Sequence, residues 1–162
     1  MRFPLDNKIS LNDIPAPNRY GAERRHDIHT GVDLFAPEGT PVYACEDGEV
    51  IDVCTFTGAS IGMPWWNETM CVSVKGASGV ILYGEITPKV NKGDSIREGD
   101  LIGLIKRVLI KDKGRPMSML HIEWYEAEYP GKGFENNVWE AWTLDGKKPP
   151  RLKNIEKLIF DV

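Results

Sequence analysis

Met70-Cys71-Val72-Ser73-Val74-Lys75 carries a period of two: Val72 and Val74 fall on one face of an extended chain, Cys71, Ser73 and Lys75 on the other. A helix would spread these residues around its circumference, so the stretch predicts a half-buried β-strand. Working outward, Glu49 to Thr55 reads as the preceding strand and Gly79 to Glu85 as the following one. Further short apolar runs cover Val32 to Phe35, Pro41 to Cys45, Leu101 to Ile105 and Leu120 to Tyr125. Sixteen glycines and eleven prolines punctuate them, the pattern of an all-β chain with tight connections. Residues 1–24, with Pro4, Pro15 and Pro17 and no sustained period, are expected to wrap the domain as an extended arm. Residues 25–126 then form the β core, and 127–162 a C-terminal loop and tail in which Leu152 to Phe160 suits a short helix or a last strand.

At 162 residues the chain is expected to form one domain with one core, burying roughly 70% of its unfolded surface. With 41% hydrophobic and 27% charged residues it is too apolar for intrinsic disorder. Its 20 basic and 24 acidic residues give a net charge of −4 and form no basic run, which argues against nucleic acid as a partner. No stretch approaches the ~20 apolar residues of a membrane span, and the first residues lack the apolar core of a signal peptide. A monomer is the default expectation. Cys45, Cys54 and Cys71 read as small buried hydrophobes, with a Cys45–Cys54 bridge across a hairpin as the alternative.

The chemistry concentrates in His29-Thr30-Gly31-Val32-Asp33. In an extended chain His29 and Asp33 share a face, and an imidazole beside a carboxylate suits a divalent metal. His121 and Glu123 share a face of a later strand, in Met119-Leu120-His121-Ile122-Glu123. These segments, the run Ala36 to Val50, Tyr83-Gly84, and the paired turns Asn91-Lys92-Gly93-Asp94 and Arg97-Glu98-Gly99-Asp100 together resemble the lysostaphin-type zinc endopeptidases, which cut peptides of the bacterial cell wall. The likeness runs from about Tyr20 to Tyr125. It implies a duplicated hybrid motif, or barrel-sandwich hybrid, with a central antiparallel sheet and a metal-binding groove. It also implies one zinc ion per chain held by His29, Asp33 and His121, an open fourth position for water, and a peptidoglycan peptide as the partner.

The chain departs from the family at two positions. Glu85 in Tyr83-Gly84-Glu85-Ile86, and Met119, stand where the family has catalytic histidines. Only His26, His29 and His121 exist, so no shifted alignment supplies the four that the pattern needs. Losing a general acid or base costs about 10²- to 10⁴-fold in rate. Glu85 is expected to act as a substitute base, on the same face as Tyr83, while Met119 reads as packing and His26 as an exposed loop residue. Trp65, Trp66, Tyr83 and Arg115 are the expected substrate-binding residues; Trp139 and Trp142 are expected to anchor the tail. The leading expectation is a zinc-dependent peptidase hydrolysing peptidoglycan peptide bonds. The alternative is a degenerate, zinc-retaining member that binds a cell-wall peptide or regulates a partner without cutting. A third reading, a hybrid-motif carrier or phosphotransfer domain, shares the glycine-paired turn but lacks a Met-Lys-Met attachment site. The compartment stays open: extracellular or periplasmic for a trimmed chain, or a phage-borne enzyme reaching the wall.

Overall fold

A computed structural model describes residues 1–110, 118–133 and 141–160. Among them the chain forms β1 (Val32–Phe35), β2 (Pro41–Tyr43), β3 (Gly48–Thr57), β4 (Thr69–Gly76), β5 (Gly79–Pro88), β6 (Ser95–Ile96), β7 (Leu101–Ile105), β8 (Met119–Tyr125) and β9 (Leu152–Lys153). One short helix, α1 (Glu156–Ile159), follows β9. The expected all-β architecture is the one observed. The main run of the sheet is β1-β8-β5-β4-β3-β6, with β7 bridging β2 and β5 and β9 added beside β8. Every pairing is antiparallel.

The seven apolar runs all become strands, with ends shifted by a few residues. β6 and β9, of two residues each, are too short to show a period. Two copies of one turn flank β6. Asn91 N–H donates to the Asp94 carboxylate and Arg97 N–H to that of Asp100, both at 2.8 Å. Gly93 and Gly99 supply the left-handed backbone, at φ 95° and 88°.

The alternation of each strand divides the core. Leu34, Val72, Val74, Ile81, Tyr83, Leu120 and Ile122 pack into one cluster; Phe56, Cys71, Val80, Leu82 and Tyr125 pack into another. Cys45 belongs to the first cluster, while Cys54 packs against the second, so the bridge between them is absent and all three cysteines are free thiols. The N-terminal segment docks along β2: Tyr43 N–H donates to the Pro4 carbonyl at 2.8 Å, and Arg2 N–H to that of Cys45 at 2.9 Å. It contributes Leu5 and Ile14 to the core, and Leu11–Asp13 and Ala16–Asn18 form single 3-10 turns.

β1 lies against β8 with Asp33 directly opposite His121. Gly31 makes this approach possible, because a Cβ there would stand 2.2 Å from the Ile122 carbonyl oxygen. The sheet thus brings residues 88 positions apart in the chain to one point.

Candidate metal centre

Three atoms converge where β1 enters the sheet. His29 Nε2 lies 3.3 Å from both Asp33 Oδ1 and His121 Nδ1, and His121 Nδ1 lies 2.9 Å from Asp33 Oδ1. All three side chains are buried. Each imidazole is fixed from behind: His29 Nδ1 is 3.0 Å from the Arg19 carbonyl, and His121 Nε2 is 2.9 Å from Glu123 Oε1. Those oxygens only accept, so the outer nitrogens carry the protons and the inner ones present lone pairs. Two imidazole lone pairs and a carboxylate oxygen facing one another repel unless a cation or a proton sits among them. These residues could therefore hold a metal ion.

Without a metal, a proton takes that role. Burial opposes charging the His121 ring, yet its hydrogen bonds to Asp33 and Glu123 outweigh burial and hold it at about 10. Burial likewise opposes ionising Asp33, but the neighbouring His29 and His121 keep it well below the usual carboxylate range.

Glu123 has no exposure and four polar neighbours. Oε1 accepts from Thr30 Oγ1 at 2.7 Å as well as from His121; Oε2 accepts from the Tyr125 hydroxyl at 2.5 Å and lies 3.5 Å from Lys132 Nζ. The second oxygen of Asp33 accepts from Asn18 Nδ2 at 2.9 Å and from Arg24 at 3.0 Å. The shared face of His121 and Glu123 is legible in the sequence, but the task of Glu123 is not, nor is any part for Asn18, Arg24, Thr30 and Lys132. Their neighbours are distant in the chain, so no spacing marks them.

Glu85 corrects one expectation. The period of two puts it on the face of Tyr83, but the structure separates them. On one side of β5, Gly84 is the last residue paired with β8 and Ile86 the first paired with β7; on the other, Cys71 faces Gly84 and Met70 faces Ile86. Glu85 is the extra residue of this bulge, at φ 63°, and its side chain turns into the groove. Its Oε2 is buried with no hydrogen-bond partner among the described residues, and it stands outside the three-atom cluster. Burial and the Asp33 charge push its carboxyl up to about 8.

Tyr83, expected to touch substrate, is instead in the core, where its hydroxyl accepts from Cys45 N–H at 2.9 Å. Trp66 lines the groove, whereas Trp65 is 60% exposed beside it. Met119, read as packing, is a groove wall opposite Phe35. Trp142 lines the groove as well, and its carbonyl accepts from Ile28 N–H at 2.8 Å. His26 is exposed and away from the cluster. Arg115 and Trp139 lie outside the described residues. The groove encloses about 940 Å³ and is walled largely by apolar side chains.

A family model, Peptidase family M23, matches residues 27–132, more than half of the chain and all three residues of the cluster. The chain belongs to peptidase family M23. The M23 chain is 37% identical over 79 residues to the DD-carboxypeptidase/endopeptidase Mpg of Neisseria meningitidis and of Neisseria gonorrhoeae. That match covers 48% of this M23 chain and 16% of those relatives, so the chain spans a small part of their length. Its fold is similar to that of the catalytic domain of lysostaphin from Staphylococcus simulans, with a TM-score of 0.58 at 18% identity, over 92% of this chain and 94% of that one. It is also similar to a zinc containing peptidase from Vibrio cholerae, with a TM-score of 0.51 at 23% identity, over 75% of this chain and 35% of that one.

Proposed function

We propose that the protein is a zinc-dependent peptidase that hydrolyses peptide bonds of bacterial cell-wall peptidoglycan, with His29, Asp33 and His121 as the metal ligands and Glu85 as the base. The observation that carries this reading is the convergence of three lone-pair-bearing atoms whose imidazole protons are committed outward. Donors about 2.0–2.1 Å from a tetrahedral zinc stand roughly 3.3–3.4 Å apart. Two of the three observed separations are 3.3 Å and the third is 2.9 Å. Two nitrogens and one carboxylate oxygen are also the donor types of zinc sites that keep a position open for chemistry.

Zinc, when bound, supplies a Lewis acid that polarises a peptide carbonyl and acidifies water. The protein's own residues do the rest. The apolar groove takes the peptide and excludes water, with Trp66 and Met119 against its side chains. Glu85 Oε2, held in the groove by the bulge, accepts a proton from the attacking water and returns it to the departing amine. A nearby divalent cation lowers the pKa of this carboxyl and weakens it as a base. Met119 transfers no proton, so hydrolysis is slow compared with relatives that keep both histidines. The curated relatives, described as carboxypeptidase and endopeptidase, support a peptide of the cell wall as the substrate class.

The test combines metal analysis with peptidoglycan digestion. Protein reconstituted with zinc is expected to hold about one equivalent, and Asp33→Ala to lose it. Wild type is expected to release peptide slowly and only with metal; Glu85→Gln is expected to keep its zinc and release none. Metal without cleavage, or cleavage undiminished in Glu85→Gln, overturns the base assignment. The loss of both histidines would then favour the alternative, binding of the wall peptide without cutting.

A further inference from the structure

The two strands that carry the groove's long loop hold a pair of thiols face to face. Cys54 on β3 is the register partner of Cys71 on β4, and their sulfurs are 3.4 Å apart. Directly opposed residues of an antiparallel pair have Cα atoms about 4.5 or 5.5 Å apart, and both values fall within the range of about 4.4–6.8 Å that a disulfide spans. Closing the sulfurs to a bond of about 2.0 Å takes about 1.4 Å of side-chain movement. Cys71 is fully buried and Cys54 partly exposed, so the pair has one accessible sulfur and one enclosed behind it. Cys45, in the other core cluster, cannot compete.

The position gives the pair a consequence. Beyond it, Thr57 and Thr69 close the ladder through a 2.7 Å hydroxyl contact, and the chain leaves the sheet for the loop that presents Met63 and Trp66 to the groove. Cys71 also faces Gly84, beside the bulge that aims Glu85.

We propose that Cys54 and Cys71 are a dithiol that closes, in exchange with a small-molecule disulfide, into an intrachain bridge stapling the base of the Trp65–Trp66 loop. The Cys54 thiolate attacks one sulfur of the oxidant, forming a mixed disulfide and releasing one thiolate. Cys71, losing its proton, then attacks Cys54 Sγ and expels the second. The protein loses two hydrogens and two electrons, and the oxidant becomes two thiols. Cys71 is the second nucleophile because its contact with Cys54 and its burial push its thiol up. None of this rests on the peptidase reading, and its test needs no activity.

The experiment titrates the reduced full chain with oxidised glutathione and maps the peptides by mass under non-reducing conditions. The expected product lacks two hydrogens, joins the peptides of Cys54 and Cys71, and leaves Cys45 alkylatable after unfolding. Cys71→Ser is expected to stop at a stable glutathione adduct on Cys54. Chymotryptic cutting after Trp65 and Trp66 is expected to slow by at least about threefold on oxidation, with no change in Cys54→Ala. Thiols that stay free under excess oxidant, a bridge to Cys45, or a stable adduct on the wild type overturn the pairing. Unchanged cutting of the bridged protein overturns the staple.

Discussion

Glu123 shows how much of the centre depends on one side chain that touches no metal. Its carboxylate orients His121 through Nε2, so the ring presents Nδ1 to Asp33 and His29. Thr30, Tyr125 and Lys132 hold that carboxylate in turn. Burial alone would resist its ionisation; Lys132 and the His121 hydrogen bond keep it below the usual carboxylate range. A carboxylate behind a ligating histidine raises ligand basicity, and losing one costs about 10- to 100-fold in metal affinity. Glu123→Gln is therefore expected to weaken zinc by about that factor in a competition titration with a chromophoric chelator, with the fold intact by circular dichroism. The alternation of His121 and Glu123 was legible in the sequence because both lie on one strand. The role was not, since Thr30 precedes β1 and Lys132 follows β8, and only folding brings them together.

Two features of the strands set the geometry, the β1–β8 contact and the bulge in β5, and each yields a prediction. β1 and β8 meet closely because Gly31 has no side chain; Gly31→Ala drives a Cβ into the Ile122 carbonyl and separates the strands that carry Asp33 and His121. Overpacking of this kind costs about 1–3 kcal/mol, read as a lower urea midpoint, and zinc occupancy should fall with it. The bulge in β5 works in the opposite sense. A non-glycine residue at φ 63° is strained, and Glu85 Oε2 is buried without a hydrogen-bond partner among the described residues. Glu85→Gly is expected to stabilise the metal-free protein by about 1 kcal/mol, while ending hydrolysis. The strands themselves were readable from alternation, Val72 and Val74 being the clearest case. The bulge was hidden, because the period runs unbroken through Tyr83 and Glu85; it arises where β5 exchanges β8 for β7. Nothing local in the sequence records that exchange.

At the scale of the molecule, a metal at this centre ties β1 to β8, and anything that binds the folded state alone stabilises it by mass action. Free zinc at 100 times its dissociation constant is expected to add about 2.7 kcal/mol, so the thermal midpoint should climb with zinc concentration and drop on chelation. Asp33→Ala should remove that dependence. The contribution of Pro15, Pro17 and Trp142 to the groove is not legible in the sequence, since residues from both ends of the chain assemble there. The docking of the N-terminal segment along β2 has a further effect. β7 satisfies one side of that strand, and the backbone of Arg2 to Pro4 occupies part of the other, with Pro4 offering a carbonyl but no N–H to extend the ladder. The segment thus covers part of a strand edge of the kind that, left bare, pairs with the same edge of another copy. Deleting residues 1–8 should shift gel-filtration elution toward larger, concentration-dependent species relative to the full chain.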